Sequence, residues 1–81
     1  MNKRISMVYF WISFSYKGKN QGCCIIEESD KSLAYLKAEK LKIIPKSDHI
    51  FVTQCEKQEL ECDVLILPDK LKELGYENIK N

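Results

Sequence analysis

The chain has 81 residues and a formal net charge of +1. Apolar residues make up 44% of it and charged residues 31%, a balance typical of a folded globular domain. It contains no run of 18 apolar residues, which argues against a membrane-spanning helix, and no apolar core of a secretory signal follows its first basic residues. We therefore expect one cytoplasmic domain over residues 1–81, with fraying at 78–81.

The clearest predicted element is a strand over residues 7–16. Its even-numbered positions are all apolar or aromatic, whereas its odd-numbered positions include Tyr9 and Trp11 and turn polar at Ser13. Alternation with a period of two predicts a strand with one face in the core. We expect the even face to be this core face. The odd face should be covered only in part, by a helix, a second subunit or a ligand.

A hairpin and a helix are predicted next. Residues 17–22 include two glycines and an asparagine, which tolerate positive φ and predict a hairpin loop, and 23–28 predict the return strand. Asp30 offers an N-cap, and apolar residues then recur at intervals of three and four. This spacing predicts a helix over 31–43. Its apolar stripe should consist of Leu33, Ala34, Leu36, Ala38, Leu41 and the adjoining Ile44.

Shorter elements are predicted in the second half of the chain. Residues 50–56 predict a third strand whose pairing direction the pattern leaves open, and the apolar segment 64–67 suits a short fourth strand at a sheet edge. Pro68 and Gly75 stand where helices begin and end, so 68–74 predict a two-turn helix. The predicted fold class is α+β, with a small antiparallel sheet packed by one main helix and a short C-terminal helix.

The four cysteines predict buried thiols rather than a disulfide framework or a metal site. Disulfide frameworks in short chains accompany export, and no export signal is visible. Cys23 and Cys24 are adjacent, so in an extended strand they point to opposite faces and cannot easily share one metal ion. We therefore expect no cofactor, and a zinc-stabilised module stands as a further alternative.

The sequence holds no pattern that predicts catalysis. Gly18 and Gly22 belong to the predicted hairpin rather than to a phosphate-binding turn between a strand and a helix. The single histidine, His49, follows Asp48 in a predicted loop, and the acidic residues after position 55 lack the spacing of a calcium loop. We therefore expect that the protein is not an enzyme.

The odd face of the first strand is the main candidate for an interaction surface. A chain of this length has few elements with which to cover both faces of a sheet, and Tyr and Trp commonly anchor protein interfaces. Two interpretations stay open. Either Tyr9 and Trp11 bind a partner protein, which includes a second copy in a homodimer, or the helix at 68–74 covers them as core.

The charge distribution supplies an alternative function. Residues 1–46 hold nine basic and four acidic residues, whereas residues 47–81 hold four basic and eight acidic ones. Basic side chains near aromatic ones on a sheet are one means of binding single-stranded nucleic acid. The candidate residues for this alternative are Lys17, Lys19, Lys37 and Lys40.

The segment WISFSYKGKNQGCCII at 11–26 resembles the opening of small uncharacterised proteins encoded by bacteriophages and prophages. The Ile-Ile-Pro at 43–45 and the Gly-Tyr pair at 75–76 are similar as well. The resemblance implies a protein that acts inside an infected or lysogenic bacterium. Small phage proteins of this kind often bind one host protein or a nucleic acid, and the resemblance implies no catalytic or ligand residue.

Overall fold

The fold is a three-stranded sheet with two helices, seen in a computed structural model that describes residues 7–57 and 59–76. The fraying predicted at 78–81 lies outside these residues. Every strand pairing is antiparallel, in the order β2-β1-β3, which confirms the predicted α+β class and fixes the direction of the third strand. The elements are β1 (Val8–Tyr16), β2 (Lys19–Glu28), α1 (Lys31–Leu41), β3 (His49–Cys55) and α2 (Pro68–Glu73).

The hairpin between β1 and β2 is tighter than the sequence predicts. Because β2 already begins at Lys19, the turn consists of Lys17 and Gly18 alone. Both turn residues have positive φ, as in the two-residue turns whose twist matches that of paired strands. The rest of the predicted loop belongs to β2, where a bulge shifts the register between Phe14 and Ser15.

The even face of β1 forms the main core, as predicted. Phe10, Ile12 and Phe14 are all buried on this face, where they lie beneath α1. Burying three such side chains contributes on the order of 5 kcal/mol or more to folding. The other buried members of this cluster are Cys24, Ile26, Ala34 and Ala38.

Helix α1 packs on the sheet through alanine rather than leucine. Ala34 and Ala38 are fully buried, whereas Leu33, Leu36 and Leu41 are each more than 40% exposed. The small alanine side chains face the sheet, and the leucines flank that contact instead of entering it. The prediction that these three leucines belong to the packing stripe is therefore wrong.

Both ends of α1 have a local physical cause. The Asp30 carboxylate accepts a hydrogen bond of 3.0 Å from the backbone N–H of Leu33, which confirms the predicted N-cap. Lys42 takes a left-handed conformation with φ 58°, and its backbone N–H donates to the carbonyls of Ala38 and Glu39. The helix therefore ends at Leu41, two residues before its predicted end.

The outer edge of β2 is covered by the segment that leads to α2. The backbone N–H of Asp63 donates to the carbonyl of Ile25 (2.9 Å), and Cys23 and Ile66 exchange two backbone hydrogen bonds of 2.9 and 2.7 Å. The fourth strand predicted at 64–67 is thus reduced to a single bridge at Ile66. Helix α2 then brings Leu71 against Cys23 and Ile66 in a second buried cluster.

Candidate protein-binding face

The odd face of β1 is covered on one side only. Helix α2 lies mainly over β2, and through the second cluster it reaches Trp11 of β1. Helix α1 lies across the opposite, even face, mainly over β2. On the odd face the β3 residues Thr53 and Phe51 remain exposed.

Trp11 lies at the boundary between the covered and uncovered parts of the odd face. It packs against the second cluster, and its ring lies 5.7 Å from that of Tyr76, centroid to centroid, at an interplanar angle of 46°. The side chain is only half-buried. Part of Trp11 therefore contributes to folding, and the rest of it is available at the surface.

Tyr9 is half-buried and belongs to neither buried cluster. Its register partner on β3 is Cys55, and the next odd-face pairs are Trp11 with Thr53 and Ser13 with Phe51. Thr53 is exposed, and the Phe51 side chain is 50% exposed. We call the surface formed by Tyr9, Trp11, Thr53 and Phe51 the aromatic face.

The structure agrees in part with each of the two interpretations that the sequence leaves open. The 60–76 segment covers part of Trp11, but it leaves Tyr9 outside both clusters. Sequence reasoning missed Phe51 as a member of this surface. Alternation within 50–56 already places Phe51 beside Thr53 and Cys55, but no local signal says that a strand face will lack cover.

The four lysines of the nucleic-acid alternative lie on two different elements. Lys17 lies in the hairpin turn and Lys19 begins β2, whereas Lys37 and Lys40 belong to α1. The Lys17 Nζ lies 5.3 Å from the Tyr16 ring centroid, and the Lys46 Nζ lies 4.8 Å from it. The Lys37 Nζ is 3.6 Å from Asp63 Oδ1, so part of the charge on α1 is paired within the protein.

Asp48 connects the start of β3 to the hairpin turn. Its carboxylate accepts a 3.0 Å hydrogen bond from the backbone N–H of Lys17, and its other oxygen lies 3.1 Å from His49 Nδ1. The Lys17 hydrogen bond and, after it, the His49 contact lower the pKa of Asp48. The Asp48–His49 pair thus has a structural function at one end of the sheet.

The cysteines are thiols, and two of them are core residues as predicted. Cys24 lies in the main core and Cys23 in the second cluster, on opposite faces of β2. Burial raises the pKa of each thiol to about 12, so both are protonated at neutral pH. Among residues 7–57 and 59–76, no three or more His, Cys, Asp and Glu side chains form a group that could hold a metal ion.

Comparisons with protein-family models, with curated proteins and with solved structures found no match to this chain. None of the helices in the described ranges has the length and apolar character needed to cross a membrane.

Proposed function

We propose that this chain is a small non-enzymatic interaction module that binds another protein through the aromatic face. The resemblance to phage and prophage proteins supports a host protein in the bacterial cytoplasm as that partner. The module acts by surface complementarity, with Tyr9 and Trp11 as the anchoring side chains.

The observation that carries this proposal is the one-sided cover of the odd face. Helix α2 lies mainly over β2, and Phe51 and Thr53 are exposed beside the half-buried Trp11. Aromatic side chains that are held by a sheet lose little conformational entropy on binding, and they present large apolar areas to a partner. A protein surface that fills this face would bury Tyr9 and the exposed part of Trp11.

Affinity capture from a bacterial lysate tests the proposal. We expect the Tyr9→Ala variant to retain far less of the captured host protein than the unchanged chain, because it removes an anchor that lies outside both clusters. Tyr35→Ala is the matched control, since Tyr35 is also a half-buried tyrosine but lies on α1. The Trp11→Ala variant should lose binding as well, and circular dichroism will show whether its fold survives.

The outcome against the proposal is equal capture of the same proteins by all variants that fold. Loss of every captured protein after nuclease treatment would also contradict it, because the contact would then run through nucleic acid. In either case the aromatic face is not the binding surface for a protein.

Nucleic-acid binding is the second candidate, favoured by the lysines around Tyr16 at the hairpin end. Binding through phosphates must weaken steeply as the salt concentration rises. Titration with single- and double-stranded DNA at two salt concentrations, repeated with a Lys17→Gln Lys19→Gln variant, separates this candidate from protein binding. Salt-sensitive binding that the double variant loses would favour it.

A further inference from the structure

The two edge strands of the sheet differ in their backbone hydrogen bonds. At the outer edge of β2, Ile25 accepts a backbone hydrogen bond from Asp63, and Cys23 exchanges two with Ile66. The outer edge of β3 has no strand beside it within the described residues. An unpaired edge is a template for another strand.

The backbone groups of the even residues in β3 point outward from the sheet. In an antiparallel sheet, the N–H and C=O of one residue point to one side and those of the next residue to the other side. Cys23 and Ile25 bond outward from β2, so the even residues of β2 and β1 bond to each other. The odd residues of β1 and β3 then bond to each other, which leaves Ile50, Val52 and Gln54 to face outward.

The β3 edge lacks the features that normally prevent strand pairing. Native edge strands commonly carry lysine, proline or a bulge. Between His49 and Cys55 the sequence IFVTQ contains no Lys, Arg, Asp, Glu or Pro, and its register with β1 has no shift. Apolar side chains also flank the edge on both faces, with Phe51 on the odd side and Leu36 beside Val52 on the even side, and both Phe51 and Leu36 are about half exposed.

We propose that the β3 edge binds the β3 edge of a second copy of this chain, which joins two sheets into one continuous antiparallel sheet. The two-fold axis lies at Phe51, opposite Phe51 of the second copy. Ile50 then lies opposite Val52 of the second copy, and their outward N–H and C=O groups exchange hydrogen bonds. Opposed residues share a face, so both faces of the sheet continue across the dimer.

A second copy fits this edge without bringing like charges together. The central pairs, Ile50 with Val52 and Phe51 with Phe51, are uncharged, and Thr53 and Gln54 lie opposite His49 and Asp48 of the second copy. Opposed residues share a face, so the two aromatic faces lie on the same side of the dimer.

The Val52→Pro substitution tests the edge directly. Proline removes the outward N–H that the dimer uses, and edge positions of this kind tolerate proline. Two hydrogen bonds are lost per dimer, so we expect the dissociation constant to rise by about tenfold or more in sedimentation velocity. Val52→Ala is the matched control, since it shortens the same side chain but keeps the N–H, and it should still dimerise.

Disulfide trapping provides a second readout that does not depend on the proline variant. Non-hydrogen-bonded antiparallel pairs have Cα atoms about 4.5 Å apart, within the range that a disulfide spans. In a Cys55→Ser Cys62→Ser background, Phe51→Cys should form a covalent dimer on mild oxidation, whereas Thr53→Cys should not. A dimer trapped by Thr53→Cys alone would contradict the register.

A chain that stays at 9.5 kDa at every concentration, or a folded Val52→Pro variant that dimerises like the control, would overturn the proposal. The dimer uses the β3 edge and protein binding uses the anchors Tyr9 and Trp11, although Phe51 belongs to both surfaces. Tyr9→Ala should leave the dimer intact, and Val52→Pro should leave capture of the host protein intact. Failure of one proposal is therefore distinguishable from failure of the other.

Discussion

Gly22 is the residue where the edge of β2 meets the segment that covers it. Its φ is +118°, and a Cβ at this position would lie 2.5 Å from the backbone oxygen of Ile66. Gly18 also has a positive φ, but a Cβ there would meet nothing within 4 Å. Only glycine satisfies both constraints at Gly22, the unusual dihedral and the close backbone contact.

We therefore expect Gly22→Ala to destabilise the protein more than Gly18→Ala. Gly18→Ala is the control, and it should lose about 1–2 kcal/mol of unfolding free energy because of the positive φ alone. Gly22→Ala should lose more, because the backbone bridge between Cys23 and Ile66 must also move. Urea unfolding of both variants measures the difference, and equal losses would mean that the Ile66 contact is not needed.

Because Cys23 and Cys24 are buried, the free energy of unfolding should decrease at alkaline pH. Burial raises the pKa of Cys23 and Cys24 from 9.0 to about 12, so between these values the unfolded chain releases thiol protons that the folded chain keeps. Their contribution is fully present below pH 9 and is lost as the pH rises from 9 towards 12. We expect the melting temperature to fall over this interval, and to fall less steeply for Cys24→Ala. A Cys24→Ala profile parallel to that of the unchanged chain would contradict this assignment.

At the scale of the elements, the contact between α1 and the sheet is set by its alanines. Ala34→Leu would force extra methyl groups into a fully buried position, at a cost of about 1–3 kcal/mol. Leu36→Gln changes an exposed position and should stay within about 0.5 kcal/mol of the unchanged chain. Thermal unfolding compares the two variants. A larger loss of stability for Leu36→Gln would indicate that the leucines, and not the alanines, pack on the sheet.

The same contact shows which features the sequence predicts and which it does not. Alternation in β1 predicted its core face correctly, because side-chain direction in a strand follows from position alone. Helical spacing predicted that Leu33 and Ala34 belong to one apolar stripe, but it cannot say which residues of a broad stripe touch the sheet. That choice depends on where α1 lies across the strands, and the contact between Trp11 and Tyr76 likewise depends on the path of the chain after β3.

At the scale of the whole molecule, the covering elements lie mainly over β2. Helix α1 lies mainly over one face of β2, α2 contacts its other face, and the segment at Asp63 and Ile66 pairs with its edge. The strand at the opposite side, β3, has β1 as its only strand partner among the described residues. The aromatic face and the β3 edge are therefore neighbouring parts of one less covered side, and Phe51 belongs to both.

A single subunit leaves Trp11 partly exposed on the aromatic face. Trp11 is the only tryptophan of the chain, so acrylamide quenching of its fluorescence measures this exposure directly. We predict a quenching constant between that of the urea-unfolded chain and that of a sealed indole, and a clear decrease when the captured host protein is added. Fluorescence that acrylamide cannot quench in the isolated protein would show instead that Trp11 is sealed inside a single subunit.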